Sequence, residues 1–214
     1  MTTLDLEKRP SAADTRSDSA KRRQIMDGAR RMFLAQGFDA ASMSEIAREA
    51  GVSKGTLYVY FKSKEELFEA IVEAQCLEQG VQIFTFDKAA DIESELTRLG
   101  TQFSRFMSRP GGVSELRTII AIAERMPEVG AKFYQAGPAR GMALLKQYLE
   151  DKVAAGVLEP HDCEVAAAQF IDACVSTTHK PMLFNYAPAA PQDARVAHVV
   201  GMAVRAFLAA YRKR

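Results

Sequence analysis

Apolar side chains recur along this chain at helical rather than strand spacing. From about Ser19 to Gln36, Ile25, Ala29, Met32 and Phe33 fall at i, i+4, i+7 and i+8, which is one face of a helix. Gly37 supplies the stop, because glycine adopts left-handed backbone at little cost. Ser42-Met43-Ser44-Glu45 is a capping-box pattern that opens a short helix with Met43, Ile46, Ala47 and Ala50 as its buried stripe. Gly51-Val52-Ser53 reads as a three-residue turn, and Lys54 to Phe61 as a second short helix. Ser63-Lys64-Glu65-Glu66 repeats the capping pattern and starts a longer helix through Leu67, Ile71 and Ala74 to about residue 84. Further helices are predicted at about 89–109, 113–125, 127–155, 162–185 and 192–212. Pro127 and Pro191 sit near helix starts, where a missing N–H costs nothing, and Gly137-Pro138 kinks or splits 127–155. Strand signals are nearly absent. The expectation is an all-α chain of about nine helices.

Composition narrows the class. The chain has 214 residues, 48% hydrophobic and 26% charged, as expected for one or two globular domains with a real core. No run reaches the ~18 uninterrupted apolar residues of a membrane span, and residues 1–18 read as a disordered, polar arm with no secretory signal. Three cysteines, Cys76, Cys163 and Cys174, form neither a disulfide framework nor a metal-ligand pattern. The expected compartment is a reducing cytoplasm. The net charge of +1 hides an asymmetry: residues 16–64 hold ten Lys/Arg against five Asp/Glu. A basic head on a mildly acidic body suits an anion-binding partner such as nucleic acid.

The stretch from Ser42 to Lys64 reads SMSEIAREAGVSKGTLYVYFKSK. Two short helices joined by a glycine-containing turn make a helix-turn-helix, whose second helix fits the ~12 Å wide major groove of DNA. Val52 and Leu57 would lock that helix inward. Ser53, Lys54, Gly55 and Thr56 would face the base edges, with Lys54 suited to guanine O6/N7 and the Thr56 methyl to a thymine methyl. Tyr58 and Tyr60 carry hydroxyls at phosphate height, Lys62 and Lys64 extend the basic edge, and the helix opening at Ser63 aims its positive end at a phosphate. A glycine turn between helices also occurs in bundles that bind nothing, so the turn alone does not decide the matter.

The whole string, however, resembles the TetR (tetracycline-repressor) family of bacterial regulators. The resemblance rests on Ile46-Ala47, Ala50 to Ser53, Gly55 to Tyr58, Tyr60-Phe61 and Lys62 to Leu67, with Ala29 to Phe38 matching the preceding helix. It implies an N-terminal three-helix DNA-binding domain over 19–70, with its helix-turn-helix at 42–61, and a helical effector-binding and dimerisation domain over 71–214. It implies phosphate contacts at Ser42 and Ser44, base-edge contacts at Lys54, Gly55 and Thr56, and backbone clamps at Tyr58, Tyr60 and Lys64. Val59 receives no role. The partners implied are double-stranded operator DNA, a second copy and a small-molecule effector, with no membrane. From Arg117 onward the chain is similar to the AefR-like branch.

Ala166, Ala167, Ala168, Ala173, Ala197, Gly201, Ala203, Ala206, Ala209 and Ala210 in helices 162–185 and 192–212 offer small side chains for a homodimer interface, with Val196, Val199, Val200 and Phe207 as larger contacts. An effector pocket would draw on Phe103, Phe106, Met107, Ile119, Ile122, Met126, Tyr134, Phe170, Cys174 and His179. No catalytic, cofactor or metal motif is found: His161 and Cys163, two residues apart on a helix, would point to different sides. The expected activity is repression rather than catalysis. A cysteine redox sensor, a DNA-binding protein answering to a protein partner, and an activator stay open as alternatives.

Overall fold

The computed structural model describes residues 12–75, 81–109 and 111–213. Among them the secondary structure is helical, apart from one isolated bridge between Leu158 and Arg212. The chain divides into two compact units, up to Ile71 and from Val72 onward.

In the first unit, α1 runs Ala12–Ala40, α2 Met43–Glu49 and α3 Lys54–Tyr60, and α4 (Lys64–Gln75) begins. The helical backbone of α1 breaks at Gly37, whose φ of 82° is the stop the sequence implied. Its start lies at Ala12, earlier than the expected Ser19. Ala12, Ala13, Arg16 and Ala20 are good helix formers, and extending an existing helix avoids the cost of nucleation. The remainder of the expected arm, and Cys76, lie outside the described residues. Ile25 and Ala29 of α1, Ile46 of α2, Leu57 of α3 and Leu67 of α4 are completely buried together. Phe33, Phe38 and Phe68 add a triangle of rings with centroids 5.2–5.5 Å apart. Gly28 marks where α1 and α2 meet most closely: a Cβ there would lie 2.7 Å from Ala50 Cα and Cβ.

The second unit holds α5 (Val81–Ile83), α6 (Ile92–Met107), α7 (Gly112–Ala123), α8 (Pro127–Tyr134), α9 (Arg140–Ala154), α10 (Cys163–Val175), α11 (His179–Leu183) and α12 (Asp193–Tyr211). Its core forms where α6, α9, α10 and α12 pack, with Leu96, Leu99, Leu145, Leu149, Cys174 and Val200 sealed from solvent. α12 is long and apolar enough by composition to cross a membrane. Yet it carries Asp193, Arg195 and Arg205, and it inserts Val196, Val200, Val204 and Phe207 into this core.

Residues 76–80 of the helix expected to run to about 84 lie outside the described residues, with α4 and α5 on either side, and two further expected helices differ. The 127–155 helix continues through Pro138 by widening to a π-helical turn over Gln135–Ala139. Proline lacks the donor and crowds the preceding turn, and the extra residue per turn relieves both problems. The 162–185 helix splits, because Ser176, Thr177 and Thr178 form tight turns and α11 restarts with Pro181 in its first turn, where donors are unpaired anyway.

Candidate nucleic-acid interface and effector cavity

The α2–α3 corner is built from local hydrogen bonds. Ser42 Oγ accepts from Glu45 N at 3.2 Å, and Glu45 Oε2 accepts from Ser42 N at 3.2 Å and from Ser42 Oγ at 2.7 Å. These Ser42 bonds, side chain first and backbone second, hold the Glu45 carboxyl below its usual range. The end of α2 closes as a Schellman motif: Val52 N donates to Ala47 O at 2.9 Å and Gly51 N to Arg48 O at 3.1 Å. Gly51 takes the left-handed conformation this requires, with φ 65°. Ser53 then caps α3, its Oγ accepting from Thr56 N at 3.0 Å and lying 2.8 Å from Thr56 Oγ1. Leu57 and Phe61 anchor α3 inward, and Gln24 Nε2 donates to Ala50 O at 2.7 Å, tying α1 to the turn.

The outward side of α3 is therefore fixed by its inner side. Lys54 and Gly55 are exposed, as are Tyr58 and Val59 one turn later; Val59 is 81% exposed. The Lys54 ammonium lies 6.0 Å from the Tyr58 ring centroid. Ser42, Ser44, Ser53 and Lys62 are also exposed, and Thr56 is half-buried. The Tyr60 hydroxyl bonds Asp18, which pushes its pKa up. Lys64 differs from its expected role. Its Nζ donates to Phe38 O at 2.7 Å and Asp39 O at 3.2 Å, and it sits 4.5 Å from the Phe38 ring centroid. It caps the end of α1, where unpaired carbonyls carry the negative pole of the helix. The second capping box is also shifted: Ser63 Oγ accepts from Glu66 N, but the Glu66 carboxylate takes Lys62 N rather than Ser63 N.

In the second unit, α6, α7 and the α8–α9 region enclose an apolar cavity of about 260 Å³. Of the expected lining, Phe103, Phe106, Met107 and Ile119 face it. The other six do not. Ile122, Phe170 and Cys174 are sealed in side-chain packing, Tyr134 is 60% exposed, and Met126 precedes α8 as its cap. His179 is buried in α11 against the Met107 backbone, and burial lowers its pKa. Phe84, Phe133, Pro138 and Met142 replace them as walls. The charged lining residues are Arg109 and Glu115, joined by a 2.7 Å ion pair with the guanidinium 4.1 Å from the Phe106 ring centroid. Phe133 and Met142 come from α8 and α9, whereas Phe84 and Pro138 come from the turn after α5 and from the π turn, where no helical period places them.

His161 and Cys163 do meet. His161 precedes the helix cap Asp162, so the helical rule does not govern it, and its Nε2 lies 3.7 Å from Cys163 Sγ. Burial and the neighbouring carboxylates of Glu150 and Asp162 push the Cys163 thiol up, and burial takes Cys174 to about 12. Both shifts disfavour the thiolate that a redox sensor uses.

Residues 25–71 match the model of the bacterial regulatory proteins of the tetR family, and residues 94–213 that of the AefR-like transcriptional repressor C-terminal domain. The chain belongs to the TetR family. Among solved structures, a TetR-family regulator from Mesorhizobium loti MAFF303099 superposes with a TM-score of 0.84 at 27% identity, over 91% of this chain and 98% of that one. The flavonoid-responsive regulator FrrA gives a TM-score of 0.76 at 32% identity, over 92% of this chain and 99% of that one. The transcriptional activator FasR of Mycolicibacterium smegmatis is 41% identical over 71 residues, covering 31% of this chain and 32% of FasR. This TetR-family chain spans about a third of the length of the curated relatives it matches. Such relatives are regulators, not enzymes, in keeping with the absence of a catalytic motif. Val59, which receives no role from the resemblance, is more exposed than Tyr58 beside it. The available signal was spacing: Val59 follows Gly55 by one turn and so shares its outward side.

Proposed function

We propose that this chain binds a palindromic double-stranded operator as a homodimer, represses transcription from it, and releases it when a small apolar effector fills the α6–α9 cavity. The observation that carries the reading is the outward side of α3: Lys54, Gly55, Tyr58 and Val59 stand exposed on a helix whose Leu57 is fully buried. Lys54 donates to a guanine edge, Gly55 admits the DNA closely, and the Val59 methyls meet a thymine methyl. Ser42, Ser44, Ser53, Tyr58, Tyr60 and Lys62 fix the backbone, with Thr56 beside Ser53 at the groove edge. Lys64 acts indirectly, by holding α4 to the end of α1.

The second copy packs on α10 and α12, within the expected 162–185 and 192–212 segments. Ala166, Ala167, Ala203, Val196, Val199, Val200 and Phe207 are occupied in the protomer core. The contact surface is instead Val165, Ala168, Ala197, Gly201, Met202 and Ala209, with Val165 and Met202 about half exposed. Two-fold symmetry then presents two α3 helices to half-sites one helical turn apart, ~34–36 Å. An effector with greater affinity for the state in which the heads are wrongly spaced lowers operator affinity. A planar aromatic molecule of the flavonoid class suits the phenylalanine-rich walls, and FrrA is named for responding to such molecules. Operator binding puts this work in the cytoplasm.

Selection of random duplexes by the purified protein, repeated across a salt series, tests the reading. A palindromic consensus retained at moderate salt, then released by a flavonoid panel, is expected. Sequence-blind binding that vanishes with salt refutes operator recognition, and release by no apolar compound refutes the effector. A consensus whose occupancy raises transcription in a reporter refutes repression alone.

A further inference from the structure

A second cavity in the same unit, of about 370 Å³, lies on the other side of the α6–α7 corner from the apolar one. Its chemistry is different. Arg117 of α7 lines it, with its Nε donating to Leu183 O at 2.7 Å and its Nη2 to Met182 O at 2.6 Å. Both partners are neutral carbonyls, and no Asp or Glu lines the cavity among the described residues. Arg109, the other cation at the wall, is already matched by Glu115. Arg117 is thus half-buried with two helix-end carbonyls as its partners and no carboxylate on the cavity wall among the described residues, which leaves its positive charge available to an anion there.

Two features show where that anion would sit. The carbonyl bonds use the side of the guanidinium formed by Nε and one Nη2 hydrogen. The end formed by Nη1 and the second Nη2 hydrogen is left as a parallel pair of donors, the geometry that grips a carboxylate. Ser108, only 5% exposed, also lines the cavity; its hydroxyl is sealed and has no hydrogen-bond partner, so it meets a ligand there only after the side chain turns about χ1. A buried donor of this kind calls for a ligand or water. Val113, Met182 and Pro188 supply apolar surface beside it.

We propose that this cavity binds a small organic carboxylate, with the carboxylate on Arg117, a further bond from Ser108 and a short apolar body against Val113, Met182 and Pro188. A single guanidinium pair of donors, with Ser108, Ser114 and Asn185 as the neutral polar groups of the wall, suits a singly charged planar anion better than phosphate. The site shares Arg109 with the wall of the apolar cavity, but the proposal rests on neither the effector nor the DNA-binding reading. It makes the unit responsive to two chemically different ligands.

The test is calorimetric titration of the full chain, in chloride-free buffer, with acetate, butyrate, benzoate and octanoate. The matching neutral amides and inorganic phosphate serve as controls. At least one carboxylate should bind saturably at one per chain, with its amide at least ~10-fold weaker and phosphate weaker still. Arg117→Gln should weaken it ~10–100-fold and Ser108→Ala ~3–10-fold, as expected for losing charged and neutral hydrogen bonds. Arg117 also ties α7 to the end of α11, so Ser108→Ala provides the reading on an intact chain should Arg117→Gln fail to fold. Binding by no carboxylate, amides binding as tightly, phosphate binding as tightly, or a Ser108→Ala variant with unchanged affinity would each overturn the proposal.

Discussion

Replacing Gly28 by Ala sets two effects against each other. In an exposed helix interior, alanine is favoured over glycine by ~0.8–1 kcal/mol. At Gly28 the new Cβ would stand 2.7 Å from Ala50 Cα and Cβ and 2.9 Å from Ala50 N. Carbon atoms pack at about 3.5–4.0 Å, so α1 must withdraw from the end of α2 by about 1 Å. Most of the opposing atoms are backbone, so no rotamer change relieves the contact. Overpacking of this kind costs ~1–3 kcal/mol. The withdrawal also lengthens the Gln24–Ala50 bond, now 2.7 Å, which is worth another ~0.5–1.5 kcal/mol. The clash wins, and Gly28→Ala should destabilise the head by about 1–3 kcal/mol. Because the chain has two units, global melting is a poor readout. Native-state hydrogen exchange at the Val52, Leu57 and Phe61 amides isolates the head, and protection there should fall ~5–100-fold. Equal or greater protection, with operator affinity unchanged, would show that α1 and α2 are not held together at this point.

The other predictions concern separate parts of the molecule. Lys54→Ala should cost ~1–3 kcal/mol on specific DNA and relax sequence discrimination, measured by competition against random duplex; equal losses on both would remove Lys54 from base reading. Lys64→Ala should leave the salt slope of binding unchanged and lower head stability by ~1–2 kcal/mol, since its ammonium serves the α1 carbonyls; a shallower slope would restore it as a phosphate contact. Gly201→Leu meets nothing within the protomer, where a Cβ has open space, so helicity should hold while dimer affinity falls at least ~10-fold by sedimentation; an unchanged dimer would move the interface elsewhere. Cys174, raised from 9.0 to about 12, and Tyr148, raised from 10.0 to about 12, stay neutral in the folded chain while the unfolded chain ionises. Their stabilisation is complete below pH 9 and is lost as pH rises toward 12, on the order of 1 kcal/mol per pH unit for each group titrating; flat urea midpoints across that range would contradict it.

The head was legible because its determinants are local. A capping box, a glycine closing a Schellman turn and a serine cap each span six residues or fewer, and the Ile46–Leu57 packing follows once the turn is set. What escaped was long-range. Lys64 looked like one more basic residue on the DNA side, and only the return of the chain to Phe38, 26 residues earlier, uses its charge elsewhere. The cavity in the second unit failed for the same reason. Bulky apolar residues of the central helices α6 and α7 point to part of the lining, yet Phe84 and Pro138 enter through a turn and a π turn that no period encodes.

The same contrast bears on how the second unit can respond to ligands. Its four-helix core is closed by close contacts, such as the space for a Cβ at Gly100 only 2.8 Å from Cys174 Sγ. A core packed that tightly resists gradual deformation. The apolar cavity lies instead against the π turn, a helical defect held in place by Pro138 and by Phe84 packed on Gly141, where a Cβ would stand 2.8 Å from the ring. In the proposed effector response, a filled cavity would press on this π turn sooner than on the close-packed α10 and α12. An effector response on this fold would begin at residues 135–141. Relieving the defect with Pro138→Ala should weaken effector-induced operator release without weakening operator binding itself; loss of binding in the unliganded protein would assign Pro138 to the fold instead of the switch.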